Sequence, residues 1–192
     1  MSDSRFIEER VADIRSLAIQ NDSFPVNQLV ELSRKISALV QTTGRVAFVG
    51  NGGSAAEAMH IAAEFTGKCV VDHPPLPVMC LNESQSSLTA IANDYGVDFV
   101  FSRMVEAHLR PGDLLVCLST SGKSKNILKA LDVAHKNGVQ TCLWMGDFDI
   151  DIPNVQVLKV PSKSTPRIQE IHLAWGHLIS ELVEDFWANP KN

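Results

Sequence analysis

One stretch of the sequence carries hydroxyl side chains in a spacing that suits phosphate binding, Ser119-Thr120-Ser121-Gly122-Lys123-Ser124. It follows the apolar run 114–118 and precedes a helical pattern over 126–136, which predicts a buried strand, a tight loop and a helix start. Backbone N–H groups in the first turn of a helix have no intrahelical acceptor and lie at the positive end of its dipole. Together with the hydroxyls of Ser119, Thr120, Ser121 and Ser124, they can bind a phosphate. The alternative is an ordinary helix cap, which needs only one of these hydroxyls.

A second turn of the same kind is Gly50-Asn51-Gly52-Gly53-Ser54, between the β-branched run 45–49 and a helical pattern. Its glycines permit positive φ angles and a close approach of the backbone to a ligand, and Ser54 is expected to cap the next helix. The turn lacks both the Gly-x-Gly-x-x-Gly pattern of dinucleotide sites and the Gly-Lys-Ser ending of a P-loop. By itself it therefore identifies no ligand.

The helix that this turn opens carries His60 and Glu64, four positions apart and so on one face. An imidazole and a carboxylate in this spacing can bind a divalent metal or transfer protons. The alternative is a surface pair without a function. The alanines around the pair favour a buried, small-sided helix, and therefore a site.

Composition limits the classes of function. The net charge is −5 and the pI is about 5.6, with scattered Lys and Arg residues, so we expect no nucleic-acid partner. The amino-terminal residues are charged, and no apolar stretch approaches the ~20 residues that span a bilayer, so we expect no membrane partner. The four cysteines form no Cys-x-x-Cys pair, and three lie in apolar runs. We expect a cytoplasmic protein.

Five strand-like runs alternate with helical patterns, which predicts an α/β fold of three layers, αβα. We expect a five-stranded parallel sheet in flavodoxin-like order, with ligands bound at the carboxyl ends of the strands, where both turns lie. Residues 1–192 are interpreted as one domain, with an α/β core over 44–187. Two amphipathic helices over 1–43 pack either on that core or on another subunit.

A long helix is predicted from Thr165-Pro166, which are assigned as its cap and first residue. Its apolar stripe is interrupted by Gln169, His172 and His177, at places where a core helix would be apolar.

Five motifs in order resemble the phosphoheptose isomerases, a family of sugar-isomerase (SIS) domain proteins. They are the glycine turn 50–56, the His60–Glu64 helix, the segment 88–96 ending in Asn93-Asp94-Tyr95-Gly96, the serine loop 119–124, and Arg167-Ile168-Gln169-Glu170. The resemblance covers nearly the whole chain. It implies a zinc-containing cytoplasmic homotetramer that converts sedoheptulose 7-phosphate to a glycero-manno-heptose 7-phosphate for lipopolysaccharide or surface glycan.

The resemblance also implies roles for individual residues. Zinc, one ion per subunit, would be bound by His60, Glu64, Gln169 and His177, with Glu64 and His177 as the proton-transfer pair. The sugar phosphate would be contacted by Asn51, Gly52, Gly53, Ser54, Asn93, Asp94, Ser119, Thr120, Ser121, Ser124 and Gln169. Ligation lowers the basicity of a carboxylate, so the two roles of Glu64, ligand and base, compete.

Helix geometry adds an expectation about assembly. Gln169 and His177 are eight positions apart, which is about 12 Å along a helix axis, whereas a zinc–nitrogen bond is about 2.1 Å. We therefore expect the ligands to come from different copies of the chain, with active sites at subunit interfaces.

Two other functions stay open at this point. One is a non-enzymatic SIS-domain regulator that binds the bacterial replication initiator, a group that tends to lack the residues corresponding to Glu64 and His177. The other is a sugar-phosphate-binding module without turnover.

Overall fold

Five short strands form one parallel sheet at the centre of the fold, in a computed structural model that describes residues 3–189. They are β1 (Val46–Gly50), β2 (Val78–Cys80), β3 (Leu114–Leu118), β4 (Gln140–Gly146) and β5 (Gln156–Val160). The order across the sheet is β2-β1-β3-β4-β5, which confirms the flavodoxin-like arrangement. Gly50 at the end of β1 pairs with Leu118 at the end of β3, so the turns that follow these strands begin side by side.

Seven α-helices surround the sheet: α1 (Asp3–Ile19), α2 (Val26–Val40), α3 (Gly53–Thr66), α4 (Gln85–Tyr95), α5 (Val100–His108), α6 (Lys125–Lys136) and α7 (Thr165–Ala188). Short 3₁₀ helices lie at Asn21–Ser23 and Val97–Phe99. One buried cluster joins α2, α3 and α7 to one face of the sheet, through Leu32, Phe65 and Ile171. A second joins α5 and α6 to the other face, through Phe101 and Ile127. The three-layer prediction is therefore confirmed.

Two helix starts differ from the sequence prediction. The cap of α3 is Gly52, whose φ is 56°, and Ser54 lies inside the first turn. The cap position requires a positive φ here, which glycine adopts without strain and serine does not. The helix therefore begins two residues earlier than a Ser54 cap would place it. The cap of α7 is Ser164, so Thr165 is already helical.

The two amino-terminal helices differ in how they pack. α2 lies against α7, and the preceding turn is held by the Trp175 indole, whose Nε1 donates to the Ser23 carbonyl at 2.7 Å. α1 buries Leu17 but leaves Ile7, Val11, Ile14 and Ile19 exposed, Ile19 to 83%. Within the described part of the chain, no helix is both long and apolar enough to cross a membrane.

Candidate active site

The turn after β1 is fixed by an asparagine from the neighbouring strand. The Gly50 N–H donates to Asn82 Oδ1 at 3.1 Å, and Asn82 Nδ2 donates to the Gly50 carbonyl at 3.0 Å. Asn82 is buried, so its amide replaces the backbone partner that Gly50 would otherwise lack at the end of the strand. Sequence reasoning missed Asn82, which lies two residues after β2 at the same edge of the sheet.

A second asparagine joins the glycine turn to the serine loop. Asn51 and Asn126 exchange two hydrogen bonds through their side-chain amides, both 2.9 Å long. The Ile127 N–H also donates to Asn126 Oδ1 at 2.9 Å, which fixes the orientation of that amide. Asn51 is thereby held while part of its amide stays free for a ligand. Asn126 was also missed, although its position in the first turn of α6 is where a turn-bracing amide is common.

The serine loop does not use the Ser124 hydroxyl to cap α6. Ser124 is at the cap position of α6, yet its side chain makes no capping hydrogen bond. Its Oγ instead lies 3.5 Å from Ser119 Oγ. Gly122 has a φ of 66°, at which a side chain is strained, and a Cβ there would also lie 2.8 Å from Met145 Cε, so the turn favours glycine. The ordinary helix cap, the alternative considered from the sequence, is therefore not what this hydroxyl does.

The two turns enclose a cavity of about 180 Å³ at the carboxyl edge of the sheet. Seven of the predicted substrate-binding residues line it: Asn51, Gly53, Ser54, Ser119, Thr120, Ser124 and Gln169. Gly52 and Ser121 are their direct neighbours in the two turns. Its walls combine backbone N–H groups at two helix starts with hydroxyls and amides, which is the chemistry of an anion site.

Asn93 and Asp94 are not brought to this cavity. Both are exposed in the last turn of α4, where Asn93 Nδ2 donates to Asp94 Oδ1 at 2.8 Å. Neither residue lines the cavity within the chain. Their assignment as substrate contacts stays a prediction.

His60, Glu64 and His177 form a compact cluster between α3 and α7. Nε2 of His60 lies 3.0 Å from Nε2 of His177 and 3.1 Å from Glu64 Oε1. The three potential ligand atoms all lie within 4.8 Å of one another. The His60 side chain is half exposed and that of Glu64 is 18% exposed, so the cluster is open to solvent on one side.

This cluster fits a divalent metal. Two ligands at about 2.1 Å in tetrahedral directions are about 3.4 Å apart, close to the separations found here. Two imidazoles and one carboxylate are also a donor set of catalytic zinc sites, which leave a fourth position open. The Cys69 thiol is a neighbour of Glu64, but burial, and then the charges of Glu64, Glu184 and Glu181, raise its pKa to about 11. In the metal-free chain it therefore stays a thiol at neutral pH.

The cluster forms within one chain because α7 approaches α3 closely. Gly176 faces Ile61, and a Cβ on Gly176 would lie 2.4 Å from Ile61 Cγ1. The missing side chain lets the next residue, His177, reach His60. The expectation that the ligands come from different copies is therefore wrong for His60, Glu64 and His177, since helix spacing constrains residues on α7 alone and says nothing about α3. For Gln169 it stays a prediction.

Gln169 contacts a different part of α3. Its Nε2 lies 3.5 Å from Ser54 Oγ, and it fills the space in front of Gly53, where a Cβ would lie 2.4 Å from that nitrogen. This position agrees with the substrate-binding assignment of Gln169. Its assignment as a fourth metal ligand stays a prediction.

The α3 face that bears His60 is open, contrary to the expectation of a buried helix. Ala56, Met59 and Ala63 are exposed, Met59 to 40%. The alanines therefore divide between the two faces of α3, since Ala58 and Ala62 are buried in the core while Ala56 and Ala63 lie on the open face.

We expect Gly176→Ala to lower the free energy of unfolding by about 1–3 kcal/mol, because the added methyl group overpacks against Ile61. It should also weaken metal binding, since α7 must move away from α3. Thermal unfolding and zinc titration measure the two effects. In the double variant Ile61→Ala/Gly176→Ala the destabilisation should be smaller than the sum of the single ones, and additive losses would contradict this packing argument.

Comparisons with known proteins identify relatives of this chain. The SIS domain family model matches residues 9–142. A phosphoheptose isomerase of Rhodospirillum rubrum is 47% identical over 159 residues, 82% of this chain and 85% of that protein. One from Sulfurimonas denitrificans is 40% identical over 185 residues, 94% of each chain.

Solved structures show the same fold. A phosphoheptose isomerase from Neisseria gonorrhoeae superposes with a TM-score of 0.85 at 32% identity, over 96% of this chain and all of that one. A phosphoheptose isomerase from Francisella tularensis gives a TM-score of 0.89 over 96% of this chain and all of that one, at 24% identity. The second likeness concerns the fold alone.

Proposed function

The chain belongs to the phosphoheptose isomerases of the SIS domain family, which makes it an aldose–ketose isomerase, and we propose that it acts through the two groups of residues described above. In this proposal the substrate is sedoheptulose 7-phosphate and the product is D-glycero-D-manno-heptose 7-phosphate. The observation that carries it is the combination in one chain of a donor-rich anion cavity and a His60–Glu64–His177 cluster.

The serine loop binds the phosphate. The hydroxyls of Ser119, Thr120 and Ser124 and the start of α6 supply donors and a positive dipole end. Anchoring the phosphate places the other end of an extended sugar at a fixed distance, which converts much of the binding energy into orientation of the reacting carbons.

Glu64 and His177 move the protons. Isomerisation of a ketose through an enediol requires a base that takes a proton from C1 and returns one to C2, and a second group that moves a proton between the O1 and O2 oxygens. A carboxylate suits the carbon proton, and an imidazole, whose two ring nitrogens can donate and accept protons, suits the oxygens. Glu64 therefore has the first role and His177 the second.

Zinc is the metal that we assign to the cluster, one ion per subunit. His60, Glu64 and His177 would bind it, with Gln169 as a further candidate. A metal bound there would act as a Lewis acid on the carbonyl or hydroxyl oxygens.

We further propose a homotetramer with active sites at subunit interfaces. Three features of the described residues support it: the exposed apolar side chains of α1, the open face around Met59 and the distance of Asn93 and Asp94 from the cavity of their own chain. A copy that covers α3 could supply Asn93 and Asp94 to the site. The two helices over 1–43 then have different tasks, since α2 covers the core and α1 contacts another subunit.

We also propose that the protein is cytoplasmic. Its reaction would be the first step in the synthesis of heptose precursors for lipopolysaccharide or surface glycan. Four free cysteines, three of them buried, suit a reducing compartment. The replication-initiator regulator is the disfavoured alternative, because Glu64 and His177 are both present and adjoin His60.

Turnover of sedoheptulose 7-phosphate tests the proposal. We expect the zinc-replete protein to form the aldose product and a chelator to remove the activity, with zinc restoring it. Binding of the sugar phosphate without turnover by the zinc-replete protein would indicate the binding-module alternative instead.

Ser121→Ala and Ser124→Ala should raise KM for the sugar phosphate by about fivefold or more, since each removes a hydroxyl from the phosphate loop. Their unfolding temperatures should stay near that of the wild type, because neither hydroxyl caps α6. Ser86→Ala, an exposed serine on α4, serves as the matched control. Unchanged KM in both loop variants would move the phosphate elsewhere.

A further inference from the structure

Glu184 on α7 is a buried carboxylate that binds three consecutive backbone N–H groups. Its Oε1 accepts from Cys69 at 2.6 Å, and its Oε2 accepts from Val70 at 2.9 Å and from Val71 at 2.8 Å. Successive N–H groups that converge in this way form an anion-binding nest. Here the anion is a side chain of the protein itself, more than a hundred residues away in sequence.

The surroundings of Glu184 keep its carboxylate ionised, as an acceptor of three N–H groups must be. His73 Nε2 lies 3.3 Å from Glu184 Oε1, and both side chains are only 2% exposed. Burial raises the pKa of Glu184, but the three N–H donors and the neighbouring His73 outweigh it and leave this pKa below its ordinary value. The carboxylate is thus ionised when it binds the nest.

The segment that Glu184 holds has no secondary structure of its own. Residues 67–77, between α3 and β2, contain no helix or strand. The N–H groups at 69–71 consequently depend on Glu184 for an acceptor. Without it they would have to turn toward water, because an unpaired N–H group next to the core costs about as much as a lost hydrogen bond.

Glu184 lies on the face of α7 that packs against α3. Gly176, Ser180 and Glu184 follow one another at intervals of four, and all three are buried. α7 therefore contacts α3, or the chain just after it, at two places along its length. Gly176 meets Ile61 beside the His60–His177 contact, and Glu184 binds the chain just after the end of α3 at Thr66.

The segment 69–71 also lies next to the His60–Glu64–His177 cluster. The Cys69 thiol is a neighbour of the Glu64 carboxylate, and the Cys69 N–H donates to Glu184. A shift of residues 69–71 therefore changes the surroundings of Glu64 directly, besides releasing the end of its helix.

We propose that Glu184 is a positioning residue, which fixes the end of α3 to α7 and so sets the distance of His60 and Glu64 from His177. The inference rests on the proposed function in so far as that cluster is a metal and proton-transfer site. Glu184 lies outside the cluster and does not line the cavity, and its effect passes through residues 69–71. Outer residues that orient ligands typically change metal affinity by 10–100-fold when they are replaced.

Glu184→Gln tests this, because the amide keeps the shape and removes one of the acceptor oxygens. Two control variants lie on the same helix. The first is Ser180→Ala. Ser180 is buried on the same face, and its Oγ donates to the Gly176 carbonyl of α7 itself, at 2.9 Å. Glu181→Gln removes an exposed carboxylate near Cys69 without touching the nest.

The measurements are the zinc dissociation constant by chelator competition and the visible absorption of the Co²⁺-substituted protein. We expect Glu184→Gln to weaken zinc binding by about 10–100-fold and to alter the Co²⁺ spectrum, with kcat reduced and KM nearly unchanged. Both controls should bind zinc within about twofold of the wild type. If Glu184→Gln does not fold, His73→Gln carries the test, with an expected loss of about threefold.

The outcomes separate this inference from the proposed function. A wild-type protein that binds no zinc would contradict the metal assignment of the cluster. A wild-type protein that binds zinc, with a folded Glu184→Gln variant of the same affinity and spectrum, would overturn only the positioning role. An equal loss in Ser180→Ala and Glu184→Gln would also overturn it, because general destabilisation of α7 would then explain both.

Discussion

Glu64→Gln is expected to reduce kcat by about 10²–10⁴-fold while the protein stays folded. The substitution removes a proton acceptor at nearly constant shape, and general bases contribute rate factors of this size. The side chain is 18% exposed in the structure and borders the open side of the cluster, so an amide fits without a change in packing. Steady-state turnover, circular dichroism and zinc content of the same preparation are the measurements.

Zinc content decides between the two roles that compete on Glu64. An inactive variant with one zinc per chain identifies Glu64 as the base, because the amide oxygen still ligates but cannot accept the carbon proton. An inactive variant without zinc identifies its main role as a ligand. Glu106→Gln, an exposed glutamate on α5 at the other face of the sheet, is the control and should keep wild-type activity. Substantial activity in Glu64→Gln would assign the base to another residue.

The sheet and both binding turns were predictable from the sequence because they depend on local signals. Apolar runs of strand length ended in hydroxyl or glycine clusters, and parallel strands place such ends at one edge. The register of Gly50 opposite Leu118 then brought the two turns together as expected. Seven residues proposed for substrate binding line one cavity for this reason.

Relations between helices were not predictable in the same way. The spacing of Gln169 and His177 correctly placed them on different levels of α7, but it could not show that Gly176 lets His177 meet α3. Asn82, Asn126 and Glu184 were missed because each binds backbone or amide groups distant in sequence. Such partners become visible only when the helices are in place, since an asparagine or glutamate in a helix pattern is ordinarily a surface residue.

The structure changes which mixture of variants can test a shared active site. His60, Glu64 and His177 belong to one chain, so chains with Glu64→Gln and chains with His177→Ala each lack part of the same cluster. Mixing them cannot produce an intact cluster, and no activity should return. Asp94 is different, because it is exposed and lies away from the cavity of its own chain.

A mixture of Glu64→Gln and Asp94→Ala chains should therefore recover activity if a neighbouring copy supplies Asp94. Each variant alone is expected to be inactive or nearly so. After subunit exchange at equal amounts, half of the sites take their cluster from an Asp94→Ala chain, and half of those meet an intact Asp94, which gives about a quarter of wild-type activity. The Glu64→Gln and His177→Ala mixture, exchanged under the same conditions, is the negative control. Rescue confined to the first mixture supports sites at subunit interfaces. No rescue in either mixture, with exchange confirmed by mass spectrometry of intact oligomers, would place Asp94 in the site of its own chain. Full activity of the Asp94→Ala variant alone would place Asp94 outside the site.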